Sequence, residues 1–462
     1  MPHSLRARWK WAVASLLTLA VLVACGENGP ASTPSPTPTF DIPTPGGNPS
    51  ATPTPPAPPS DYRLLYREFA EGKDTIWRVN PSEPAERKEL AVIPHRAGWG
   101  IVAALSPDGK FLAYNSYPEE AFDPAFQADT HLIDLATGKS ALLAEHVDLR
   151  LRPLWSPDGK LLYLRRFVEQ DTMVLQVDLT PPKDEDPSTD DEAVNLDRLK
   201  EPGQRLKIVL RADVSDILNF TPLGFSPDGQ TLYVVEVLGP GDGGGTVVGT
   251  YGPATFPAIS TATAIANATA TAIALTPVAS PTASPTPTPT PLPYGEFLVD
   301  LSDEQTALDF DLSPDSRRLA FLVQELSEGS FLLRAFVADL QGREVKRLSD
   351  EGLGGGDRLQ PAWHPDGERI ALGRLPSGGE PGAVAIVSLK GGKPSFLPPP
   401  GKGFDVPQNW SPDGLFLAVT SFEGDSLVNP GKARFVLIAK TGQRIKIADG
   451  ADAEVLAWVP KG

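Results

Sequence analysis

Trp155-Ser156-Pro157-Asp158-Gly159 runs straight into Lys160-Leu161-Leu162-Tyr163-Leu164, and this passage decides the fold because the chain writes it six times. The other copies of the turn are Leu105-Ser106-Pro107-Asp108-Gly109, Phe225-Ser226-Pro227-Asp228-Gly229, Leu312-Ser313-Pro314-Asp315-Ser316, Trp363-His364-Pro365-Asp366-Gly367 and Trp410-Ser411-Pro412-Asp413-Gly414. Proline presets φ for the first corner of a type I turn, aspartate suits the second, and glycine accepts the left-handed position that follows. Such a connection joins two antiparallel strands through a bulge. Each copy is therefore a hairpin, and its role is architectural.

Positions 106, 156, 226, 313, 364 and 411 are separated by 50, 70, 87, 51 and 47 residues. The two long gaps hold foreign material, a charged stretch at 181–202 and a Thr/Ala/Ser/Pro tract at 253–291. Without those 22 and 39 residues both gaps shrink to 48, a period that signals a solenoid or propeller. Trp458-Val459-Pro460-Lys461-Gly462 is a seventh, degenerate copy of the turn, and Arg63-Leu64-Leu65-Tyr66 is the strand type that normally follows it. The two ends complete one repeat between them. The expectation is an all-β fold over 61–462: a seven-bladed β-propeller of four-stranded antiparallel blades, the last blade split between the N- and C-termini. In the repeat from Ser106, strand B is expected at 110–115, C at 130–135, D at 140–145 and the next blade's A near 151–155. Segments 246–251 and 296–301 should be the strands C and D that flank the long tract. The aromatic before each turn (Trp155, Phe225, Trp363, Trp410, Trp458) is assigned to packing between blades.

Ser-Pro-Asp-Gly followed by Lys-x-Leu-Ala/Tyr-Tyr/Phe resembles the repeat of the TolB-type, WD-like bacterial β-propellers, over about 61–462. The chain departs from that pattern at Ser316, at His364 and in Val459-Pro460-Lys461-Gly462, where looser turns are expected. TolB itself carries an additional N-terminal α/β domain with no counterpart here, so its Pal-binding role is not implied.

The charge balance is 41 Lys+Arg against 58 Asp+Glu, a net −17. So acidic a chain does not suit nucleic acid, whose binding depends on neutralising phosphates. The one cysteine excludes an intramolecular disulfide and a cysteine-based zinc site. It lies at the end of a basic segment (Arg6, Arg8, Lys10) and a 14-residue apolar run at 11–24, too short to span a membrane and suited to a secretory signal. Leu22-Val23-Ala24-Cys25-Gly26 resembles the lipobox of bacterial lipoproteins. That resemblance implies removal of 1–24 and lipidation of Cys25, so that membrane contact is by lipid anchor alone on the outer face of the cell membrane or in the periplasm. Residues 25–60 then form a tether whose Pro/Thr/Ser-rich part, from residue 30, favours extended polyproline II. At ~3.1 Å per residue it reaches up to roughly 90 Å.

Catalytic constellations do not survive their context. Gly424-Asp425-Ser426-Leu427 spells the nucleophile block of one lipase family, but it falls in a blade loop with no histidine after His364. His95, His131, His146 and His364 lack metal-ligand spacing. The acidic loop around 184–192 lacks the glycine and terminal glutamate of a calcium loop and reads as solvated. Gly241–Gly245 and Gly354–Gly356 lack the Lys-Ser/Thr and the helix of a phosphate loop. No α/β-hydrolase domain is expected beside the propeller. No cofactor is called for.

Two functions remain. One is a non-catalytic binding or scaffold module for an envelope protein or polysaccharide. The other is a propeller enzyme, lyase- or hydrolase-like, working at the central channel, for which Arg152 and Arg358 near inner strands speak. A–B and C–D connections share one face of a propeller, and B–C and D–A connections share the other. Tether and insertions should crowd the first face, leaving the second for a partner. Trp99, residues 115–126 with Tyr117 and Phe122, residues 353–358 with Arg358, and residues 422–430 beginning at Phe422 are the candidate binding segments.

Overall fold

The computed structural model describes residues 58–117, 127–168, 170–180, 196, 205–238, 246–252, 296–301, 306–327, 330–342, 344–348, 353–354, 361–426, 429–450 and 453–461. The expected signal peptide, Cys25, the tether up to residue 57, the two insertions (Leu196 apart), Phe122 and Arg358 lie outside the described residues.

The described residues form seven separate antiparallel sheets. Blade 1 takes strand A from the C-terminus, Ala453–Pro460, and strands B to D from Tyr62–Ala70, Lys73–Asn80 and Glu83–Pro94. Blade 2 is Val102–Leu105, Phe111–Ser116, Gln127–Asp134 and Ser140–Asp148. Blade 3 is Leu154–Trp155, Leu161–Val168, Asp171–Asp178 and Leu206–Asp213. Blade 4 is Ile217–Phe225, Leu232–Leu238, Thr246–Tyr251 and Glu296–Leu301, with the expected strands flanking the long tract. Blade 5 is Thr306–Leu312, Arg318–Ser327, Ser330–Asp339 and Glu344–Arg347, with Leu353–Gly354 paired beside its third strand. Blade 6 is Ala362–Trp363, Arg369–Leu372, Ala385–Ser388 and Ser395–Phe396. Blade 7 is Phe404–Trp410, Phe416–Phe422, Ala433–Ala439 and Arg444–Asp449.

The ring closes as the sequence predicts. Leu64 pairs with Trp458 and Tyr66 with Val455, and the Lys461 amide donates to Asp61 O at 2.6 Å. Closure leaves only short edges. Apolar side chains of neighbouring blades then interleave: Leu64 and Tyr66 of blade 1 share a core with Phe416, Phe435 and Leu437 of blade 7. Burial of such faces is the main force holding each blade to the next.

The five Ser-Pro-Asp turns repeat atom for atom. Ser156 Oγ donates to Asp158 Oδ1 (2.6 Å) and accepts from the Leu161 amide (2.9 Å), while Asp158 Oδ1 accepts from the Lys160 amide (3.1 Å). Serine, at first sight only a position marker, thus satisfies the first amide of strand B. The glycines take φ near +70°, and Pro107, Pro157 and Pro365 lie against the next turn's glycine, Pro157 being 3.4 Å from where a Gly229 Cβ would stand. Ser316 does not loosen its turn. It adopts φ 56°, and Ser313 and Asp315 make the same hydrogen bonds as elsewhere. At His364 the bonds rearrange: ring Nδ1 accepts from the Asp366 amide at 3.2 Å, and the first strand amide, that of Arg369, is taken by Asp366 Oδ1 at 3.2 Å.

The aromatic position packs between blades, and two of its tryptophans add a hydrogen bond. Trp155 Nε1 donates to Ala104 O of the preceding inner strand at 3.1 Å, and Trp363 Nε1 to Asp311 O at 2.9 Å. Trp410 meets His364 edge-on with ring centroids 4.7 Å apart.

Ser60 Oγ donates to Asp413 Oδ2 at 3.0 Å, so the chain enters the ring on the face of the Pro-Asp turns. Strand order places the C–D connections of blades 3 and 4, where the insertions belong, on that face too.

Candidate functional site

The opposite face is organised by one position on strand B, three residues before the end of the strand in blade 1. In blades 1, 2, 3 and 7 that position is Arg67, Asn115, Arg165 and Thr420, all buried. Each reaches out of its strand to hold a loop or inner strand near the channel.

Arg67 Nε donates to Glu454 Oε2 (2.8 Å) and its Nη1 to Asp74 Oδ2 (2.9 Å). The same Asp74 oxygen accepts the Ile101 amide at 2.8 Å, which draws in the D–A loop of residues 95–101. Gly100 is obligatory there, since a Cβ would stand 2.9 Å from both Arg67 Nη1 and the Phe69 ring. His95 Nε2 lies 3.3 Å from Asp74 Oδ1, with its ring stacked on Phe69. The two carboxylates hold the Arg67 guanidinium above its ordinary pKa although burial opposes the charge.

Asn115 Nδ2 donates to Leu151 O (2.8 Å) and Asp148 O (3.3 Å), fixing the next D–A loop. Arg165 joins Asp148 to blade 4, donating to Asp148 Oδ2 (2.9 Å), Asn219 Oδ1 (2.8 Å) and Phe220 O (3.1 Å). The pinned loop carries Arg152 to the inner rim, where its Nη2 meets Glu454 Oε1 at 2.6 Å. Thr420 accepts from Gln408 Nε2 (2.8 Å), and Gln408 Oε1 in turn accepts the Val455 amide (2.8 Å), tying blade 7 to blade 1.

Two carboxyls are tuned by burial. Asp311, on the inner strand of blade 5, is pushed up to about 7 by desolvation, against the pull of the Trp363 amide and the Arg152 charge. Glu236, fully buried in blade 4 and bonded to the Tyr251 hydroxyl, is also pushed up to about 7.

The structure brings together two of the sequence candidates. Trp99 and Tyr117 meet with ring centroids 5.0 Å apart, and the Arg96 guanidinium lies 5.7 Å from the Tyr117 ring. Trp99 is half-buried and Tyr117 buried. Phe422 is a correction: strand B of blade 7 extends through it, and it stacks on Phe404 in the core, 3% exposed. Ser426 of the lipase-like block donates to Asp425 in an exposed loop. Among the described residues no group of His, Cys, Asp and Glu is arranged to hold a metal. The loop clamps were beyond sequence reasoning, because Arg67 and Glu454 are 387 positions apart.

No protein-family model matches the chain, and a search of curated proteins found no match. Among solved structures it is similar to TolB from Acinetobacter baumannii (16% identity, TM-score 0.43), covering 74% of this chain and 64% of that one. It is similar to a prolyl endopeptidase (16%, TM-score 0.47; 86% and 50%) and to the periplasmic gluconolactonase PpgL of Pseudomonas aeruginosa (15%, TM-score 0.46; 86% and 99%). The chain thus spans less than two thirds of the first two. At these identities the likeness is one of fold.

Proposed function

We propose that this chain is a lipid-anchored, extracytoplasmic propeller that binds an envelope protein or other envelope ligand on the face formed by its B–C and D–A loops. One observation carries the reading. The buried polar side chains Arg67, Asn115 and Arg165 are all used to hold loops or inner-strand ends of that one face, whereas the other face is closed by near-identical tight turns. Fixing loops before a partner arrives removes ordering cost from binding, as a recognition surface requires. The lipobox resemblance supports the anchor at Cys25, and entry of the chain at Ser60 on the Pro-Asp face leaves the opposite face clear of the entry point.

Capture of a partner from envelope extract on the intact ring, followed by charge reversal on each face, tests this. Loss of binding on changing Arg96 or Arg152 is expected. Loss only on changing Asp158 or Asp228 would overturn it.

A second reading, a channel enzyme, is favoured by Arg152, which pairs with Glu454 and whose charge also acts on Asp311, a carboxyl pushed up to about 7 by desolvation. There Asp311 would act as a general acid and Arg152 would bind an anionic substrate group. Saccharide turnover abolished by Asp311→Asn would select it.

A further inference from the structure

A cleft of about 580 Å³ opens at the B–C/D–A end of blade 7. Its size lies within the ~300–1,000 Å³ range of small-molecule sites. One wall is the blade itself, with Ser421, Glu423, Arg434, Arg444 and Lys446, and the other is the segment Pro400–Lys402 that arrives from blade 6.

Four cations line this cleft against two carboxylates, in a chain whose net charge is −17. They are not equivalent. Arg444 forms a fork on the fully buried Asp405, both contacts at 2.8 Å, and also donates to Pro398 O and Ser421 Oγ. It is a fixed, neutralised floor. The exposed Arg434 and Lys446 instead hold the half-buried Glu423 at 2.6 Å and the exposed Asp449 at 3.0 Å. Among the described residues Lys402 makes no ion pair. Exposed pairs of this kind are weak in water and exchange readily for a better-placed oxyanion.

We propose that this cleft binds an acidic glycan, an oxyanion carried on a polyhydroxylated chain, held by Lys402, Arg434 and Lys446. The hydroxyls are part of the argument. A bare anion would displace Glu423 and Asp449 and leave them repelled beside it. A ligand with hydroxyls next to its anion gives those carboxylates, and Ser421, hydrogen-bond partners. Val436 on the blade and Pro400 on the facing segment add apolar lining that suits the carbon face of a sugar or polyol. The proposal rests on the reading of this face as the binding face, and it names the chemistry that one part of it takes.

The test is calorimetry on the full chain in detergent with four probes: a galacturonate trimer, a glycerol-phosphate oligomer, a neutral glucose trimer and inorganic phosphate. Binding of at least one acidic oligomer is expected, tenfold or more tighter than phosphate or the neutral trimer, and the two acidic probes tell a carboxylate source from a phosphate source. Lys402→Gln with Arg434→Gln should weaken it at least tenfold, with the melting temperature unchanged because both side chains are exposed. Equal binding by parent and double variant, phosphate binding as tight as either oligomer, or no binding of any probe would overturn the proposal. Such a failure leaves Trp99 and Arg152 as contacts of a separate partner untouched, so the two readings fail independently.

Discussion

Arg152 and Glu454 stand 302 positions apart in the sequence and meet at 2.6 Å on the inner rim, joining blade 3 to blade 1 past blade 2. Both side chains are partly exposed, at 46% and 34%. Their contact therefore adds little stability in itself. Its meaning is geometric: loop clamps on two blades deliver opposite charges to the mouth of the channel. Arg152→Gln should leave the melting temperature within a degree or two of the parent, and thermal unfolding checks it. A large drop would make Arg152 a structural member of the ring.

Arg67 is the contrasting case. It is fully buried between Asp74 and Glu454, and its removal leaves the Asp74 carboxylate in the core without its cation. Arg67→Met should cost about 3–5 kcal/mol, measured by denaturant unfolding. A loss under about 1 kcal/mol would show that His95 and the Ile101 amide suffice for Asp74.

Glu236 carries a pH signature. Its folded pKa lies near 7, above the ordinary carboxylate value of 4.5. The unfolded chain therefore releases this proton first, and the folded state holds more protons between pH 4.5 and 7. Stability falls as pH rises through that window and levels off above it. Glu236→Gln should remove this residue's share of the slope and be more stable than the parent at pH 8, by on the order of 3 kcal/mol, with no gain at pH 4. Asp311 contributes with the same sign. Unfolding curves at pH 4, 6 and 8 decide it, and an unchanged slope in the variant would refute it.

The ring's join gives a further expectation. Ala453–Pro460 supplies the inner strand of blade 1, so deleting residues 453–462 exposes the whole edge of Tyr62–Ala70. One melting transition at much lower temperature is expected. Replacing 253–291 by a short Gly/Ser linker should by contrast leave the transition in place, because strands Thr246–Tyr251 and Glu296–Leu301 already pair across that gap.

Much of this fold was legible because its signals are short-ranged. A turn spelled Ser-Pro-Asp-Gly dictates its own dihedral angles, and the period follows from counting turns. Even the split blade could be located, since Trp458 and Arg63-Leu64-Leu65-Tyr66 are recognisable halves of one repeat. The site was less legible. Trp99 and Tyr117 were found because exposed-looking aromatics in long loops stand out, and Phe422 misled for the same reason, its strand ending on the very residue where a loop was expected to begin. Arg67 and Arg165 look like ordinary strand-end charges until Glu454 and Asn219 are brought beside them. Such long-range partners leave no local pattern in a single sequence.

The central claim, that the face of the B–C and D–A loops is the one that works, is tested most directly by placing a photo-crosslinking amino acid at Trp99 or, separately, at Asp228 in the full chain within its own cell envelope. The account predicts a discrete adduct from Trp99 and none from Asp228. An adduct from Asp228 with none from Trp99 would contradict it.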